Sequence, residues 1–171
     1  MNMYLKALFF LAIFSILHFG YDFTHWDFLV PLCGIDESVF QHLKMAFWAY
    51  LLASLIEYPI MRRKSIRRKN FWYSRLLSTI MIPWLVTLIW YLIPALCGKV
   101  ESLGLEVFWS VLVTILSGII GGMMEKNIEG KDFNSSFKIV ILILFIVSAF
   151  LYIWFTYKPP WIDLFINLEL L

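Results

Sequence analysis

At 171 residues the chain has the size of one domain, and with 61% hydrophobic but only 15% charged residues it lies outside the range of soluble proteins, where about 45–50% apolar and about 25% charged is usual. Its formal charge of +2 is small and its basic residues cluster beside apolar runs, so they read as topology signals and contacts for anionic membrane lipid, not as a nucleic-acid surface. The composition is that of an all-α polytopic protein of the cell membrane, one helical-bundle domain over residues 1–171.

Five apolar stretches are long enough to cross about 30 Å of hydrocarbon at about 1.5 Å per residue: Tyr4–Tyr21, Glu37–Ile60, Phe71–Leu96, Leu103–Met124 and Phe137–Tyr157. Lys6 followed by Ala7–Leu17 has the look of a signal peptide, but no small-x-small cleavage site follows, so the first stretch reads as a retained helix. Ser15, His18, Asp22 and His25 recur along it at spacings of three or four, hence on one face. Two imidazoles and a carboxylate on one face can hold a divalent metal; the plainer reading is a hydrogen-bonded polar helix end.

The second stretch opens with the most polar sequence that enters the membrane, Asp36-Glu37-Ser38-Val39-Phe40-Gln41-His42-Leu43-Lys44. An acid at 36 or 37 can cap the helix. If the helix starts at Glu37, then Glu37, Gln41 and Lys44 share a face and His42 points about 140° away, so Glu37 and His42 meet on one ion only through a bend in the first turn. Ala46, Ala49 and Ala53 continue a smooth face from His42 to Glu57. The basic run Arg62–Lys69 follows, and the positive-inside rule makes it a cytoplasmic loop. That fixes the N-terminus inside and the C-terminus outside; of fourteen lysines and arginines only Lys44, Lys99 and Lys158 then lie away from the cytoplasmic side.

Pro83 interrupts the hydrogen-bond ladder of the third stretch and should kink it. In the fourth, Glu106, Ser110, Thr114, Ser117, Gly118 and Gly121 form a small and polar stripe suited to close helix packing. Cys33 and Cys97 fall in the first and second external loops, where a disulfide between them and two inert thiols are both open. Most tryptophans and tyrosines sit near span ends as interfacial anchors, while Trp48, Tyr50, Trp84 and Trp109 lie deeper and suit packing.

Leu17-His18-Phe19 with Tyr21-Asp22, the block Glu37–Lys44, and Phe155-Thr156-Tyr157-Lys158-Pro159-Pro160 with Leu164-Phe165 resemble an uncharacterised family of small multi-span prokaryotic membrane proteins. That family shows a Glu-Ser-Val-Trp-Glu-His-Leu-Lys block and a late Phe-Thr-x-x-Pro-Pro segment. Here Phe40 and Gln41 replace its Trp and second Glu, and the tail from Ile166 is more apolar than the pattern. The resemblance implies no established activity.

Ionisable groups in an apolar leaflet are tolerated only facing protein or water, with partners. His18, Asp22, Glu37, His42, Lys44 and Glu106 are therefore expected to form one polar centre in the outer half of the bundle, with Glu37, His42, Lys44 and Glu106 as ligand-binding candidates and His18, Asp22 and His25 as metal candidates. Three functions fit. The favoured one is an outward-facing pocket that binds or handles a lipid, small amphiphile or ion. A metal-dependent intramembrane hydrolase is the second. The third is a scaffold, as a homo-oligomer or an accessory subunit of a membrane complex.

Overall fold

The structure is a computed structural model that describes residues 1–63, 69–98 and 102–167. Lys64 to Arg68 of the basic run, together with Lys99 and Glu101, lie outside the described residues.

Among the described residues six α-helices follow one another: α1 (Met3–Thr24), α2 (Val39–Arg63), α3 (Phe71–Trp90), the short α4 (Leu92–Cys97), α5 (Leu103–Glu129) and α6 (Ser135–Tyr157). With α3 and α4 taken as one stretch, five of them are long and apolar enough to cross a membrane. The third expected span thus breaks at Tyr91 and restarts, while α3 itself runs on through Pro83. Such prolines persist in membrane helices where neighbouring groups can satisfy the carbonyl they free, here that of Thr79. Side-chain oxygens of Asn2 and Asn134 cap α1 and α6, accepting from the backbone N–H of Tyr4 and Phe137.

α1, α2, α3 and α5 pack around one another, and α6 leans on α3 from outside. α2 is the hub: 61% of its apolar window is buried within the protein, against 11% for α6. Its alanine stripe explains this, since Ala46, Ala49 and Ala53 are all fully buried and let the neighbours approach. α5 closes on α1 through Gly118, where an added Cβ would lie 3.0 Å from Ala7 Cα. The α5 stripe faces inward only from Thr114 onward. Thr114, Ser117, Gly118 and Gly121 are buried, but the first turns up to Phe108 are exposed.

The core is aromatic as well as aliphatic. Lys6, Phe10 and Phe14 lie four residues apart on the inner face of α1, all buried; Phe10 meets both Phe14 and Tyr50 edge-on. A second apolar cluster joins Phe40 and Phe47 of α2 to Tyr152 of α6. Phe165, in the turn Asp163–Phe165 after α6, stacks on Phe40 at 4.4 Å. That contact draws the C-terminal segment back to the start of α2, where Asn167 makes an isolated antiparallel bridge with Ser38.

Candidate functional site

Two polar centres stand at opposite ends of the bundle. The first, the histidine end, is built by the chain between α1 and α2. α1 stops at His25, which takes up a left-handed backbone with φ 51°, and the chain turns back over the bundle. Gly34 N–H donates to the Leu17 carbonyl at 3.1 Å, and the buried Lys44 ammonium donates to the Val30 carbonyl at 2.8 Å. The Asp36 carboxylate accepts the Ser38 N–H at 2.8 Å and sets the entry into α2.

Glu37 therefore precedes α2 and is free of its helical periodicity. Its Oε2 lies 3.4 Å from His42 Nε2 and its Oε1 lies 3.7 Å from His18 Nε2. The two rings are 5.4 Å apart, and Phe14 packs against both. The 140° separation expected between Glu37 and His42 assumed a helix running from Glu37; with the helix beginning at Val39 the carboxylate swings over the histidine.

The other imidazole nitrogen of His42 has its role fixed. Nδ1 lies 3.0 Å from the Ser38 carbonyl, which can only accept, so Nδ1 carries a proton and donates it. In the neutral ring Nε2 then holds a lone pair, and it points at a carboxylate. Two electron-rich atoms face each other at 3.4 Å, an arrangement that is favourable only with a cation, proton or metal, shared between them.

Beside these three side chains opens a cavity of about 210 Å³ lined by His18, Asp22, Gly34, Ile35, Asp36, Glu37 and Asn167. Among the described residues its lining offers three carboxylates and neither lysine nor arginine. These three side chains are each about a quarter to two-fifths exposed, so the centre is reached from one side.

Of the residues named from sequence, His18, Glu37 and His42 are brought together and Asp22 lines the same cavity. His25 is not part of it: it sits exposed at the end of α1, its ring edge-on to Tyr21. Glu106 is also outside, exposed in the first turn of α5 before the packed part of the stripe begins; there its charge meets the positive end of the helix dipole. Lys44 turns away to the Val30 carbonyl and does not line the cavity. Cys33 and Cys97 are both free thiols, one buried and one exposed, so the disulfide considered from sequence is not formed.

The second centre is at the basic end, and sequence reading named its Lys6, Tyr50 and Glu57 without joining them. Arg75 reaches Glu57 with Nη2 at 2.9 Å and Nε at 3.2 Å, and Glu129 with Nη1. Lys6 Nζ lies 2.6 Å from Glu125 and 3.0 Å from Glu57. The Tyr50 hydroxyl donates to Glu125 at 3.0 Å, and the Met1 ammonium lies 3.4 Å from Glu57. All these side chains are buried. A signal was available, because Lys6, Glu57 and Arg75 are ionisable residues inside expected spans at matching depth. Among the described residues three cations stand against three anions in close contact, a structural tie of opposite charges with room for about one water, whereas the histidine end has an open cavity.

Residues 2–168 match the family described as a family of unknown function, DUF6512. The chain belongs to that family. The match covers nearly the whole chain, and the family carries no assigned activity. No curated protein and no solved structure matches the chain. The protein is thus a five-span integral membrane member of DUF6512.

Proposed function

We propose that this membrane protein binds a small cation, either a free ion or the cationic head of an amphiphile, in the cavity at the histidine end. The observation that carries this reading is the lining: Asp22, Asp36 and Glu37 line one cavity with His18, and among the described residues that lining holds no lysine or arginine. Converging carboxylates repel an anionic headgroup and attract a positive charge. The half-exposed state of His18, Glu37 and His42 gives the ligand access from water. Under the positive-inside rule the cavity opens on the outer face of the cell membrane, away from Arg62, Arg63, Lys126, Lys131 and Lys138. Bilayer lipid covers the exposed face of α6 in this reading.

The test is direct binding by protein held in lipid nanodiscs, by calorimetry with Mg²⁺, Ca²⁺, Zn²⁺, ethanolamine and choline. A saturable cation whose affinity falls about tenfold or more in both Asp22→Asn and Glu37→Gln, but not in Glu106→Gln, is expected. The metal arms separate a free ion from the two headgroup amines. Absence of saturable binding across the series, or binding indifferent to both substitutions, refutes the reading and leaves the scaffold role in its place.

A further inference from the structure

We infer that the cation is a divalent transition metal of the zinc class, held by His18 Nε2, His42 Nε2 and a carboxylate oxygen of Glu37. The inference rests on the cation reading above and names its ligand.

The donor set comes first. Two imidazoles and one carboxylate suit zinc, cobalt, nickel or ferrous iron, whereas magnesium and calcium take oxygen ligands almost alone. The spacing agrees. Ligand atoms about 2.0–2.1 Å from a tetrahedral zinc stand about 3.3 Å from one another; here the two Glu37 oxygens each approach a different imidazole, Oε2 at 3.4 Å from His42 Nε2 and Oε1 at 3.7 Å from His18 Nε2. One donor atom from each of the three residues lies within 4.8 Å of the others.

The surroundings agree as well. A metal-binding histidine characteristically donates its second ring N–H to a carbonyl or carboxylate, which fixes the tautomer and aims the lone pair. His42 does this through Nδ1 to the Ser38 carbonyl at 3.0 Å, itself the first acceptor of α2, receiving the N–H groups of Gln41 and His42. Phe14 backs both rings from the core side, so the metal sits on a dry wall with its remaining positions toward the cavity. Three protein ligands with an open side is the pattern of sites that bind water or an exchangeable ligand, not of closed structural ones. Asp22 and Asp36 line the space those ligands occupy.

The ligands come from the end of α1, the reversing loop and the first turn of α2. A bound ion therefore ties these three segments to one another and should raise the unfolding temperature of the whole chain.

The experiment uses the full chain without a histidine tag, in nanodiscs, stripped with chelator and titrated with Zn²⁺ against a competing chromophoric chelator, with Co²⁺ as spectroscopic probe. One Zn²⁺ per chain is expected, with visible Co²⁺ bands of tetrahedral intensity. His18→Ala, His42→Ala and Glu37→Gln should each weaken binding by roughly a hundredfold or more, while His25→Ala and Glu106→Gln should not change it. In case a ligand variant fails to fold, ¹⁵N-histidine spectra of the unaltered protein decide independently: Zn²⁺ should shift two of the three histidines and leave His25 in place. Zinc binding that survives all three substitutions, or that shifts His25, overturns the site. If Zn²⁺ and Co²⁺ do not bind but Ca²⁺ or an amine does, the metal inference falls and the cation reading stands; if nothing binds, both fall.

Discussion

Arg75 grips Glu57 with two prongs, Nη2 to Oε1 at 2.9 Å and Nε to Oε2 at 3.2 Å, and so locks the start of α3 to the end of α2 inside the basic end of the bundle. The two residues flank the basic loop in sequence, and Lys6 of α1 with Glu125 and Glu129 of α5 complete the tie. Each partner's desolvation is offset by the others, and therefore the loss of any one leaves a charge stranded.

Replacing Arg75 by Met should be strongly destabilising, by about 3–5 kcal/mol, read as a lowered midpoint of thermal or chemical unfolding in detergent. The double variant Arg75→Met/Glu57→Gln should recover part of that loss. A single substitution within about 0.5 kcal/mol of the parent would mean that the guanidinium is not buried among these carboxylates.

Gly121 is sterically required. A Cβ there would lie 2.6 Å from the Tyr50 hydroxyl, the group that donates to Glu125. Gly121→Ala should cost about 1–3 kcal/mol by overpacking and loosen the contact of α5 with α2 and α3. Gly130→Ala meets nothing within 4 Å and should fold like the parent under the same denaturation protocol.

Cys33 and Cys97 should differ in reactivity. Burial pushes the Cys33 thiol up, only partly opposed by the positive charge of Lys44. A raised value means less thiolate at any given pH, so Cys33 should resist alkylation through neutral pH and react as the pH climbs past the usual thiol range. Cys97, exposed, should be modified first. Mass spectrometry of protein kept from reductant should find two alkylatable thiols after denaturation; a loss of two hydrogens would instead establish the bridge.

Orientation can be read by impermeant thiol reagents on single-cysteine variants in intact cells. Probes at Thr24 and Lys99 should label from outside, and those at Ser65 and Asn127 should not. Labelling of Ser65 from outside would turn the cation cavity toward the cytoplasm.

Composition and periodicity by themselves determined the five spans and most of their ends, because the hydrocarbon thickness sets a length that any apolar run must meet. They also identified the smooth alanine face of α2 and the lower half of the α5 stripe, since a spacing of three or four names a helix face directly. What periodicity cannot name is the neighbour that a face meets. Lys6 and Glu125 are 119 residues apart and touch only because α1 and α5 close over Gly118 and Ala7. The same limit governs the histidine end. Glu37 reaches both His18 and His42 because α2 starts at Val39 and the preceding loop folds back over α1, while Glu106 is left outside because α5 is unpacked in its first turns. A helix boundary shifted by two residues moves a carboxylate from one face to another, and loop geometry sets that boundary through hydrogen bonds such as Asp36 to Ser38 and Gly34 to Leu17. Sequence thus supplied the groups and their depth, and the tertiary fold decided which of them share a charge.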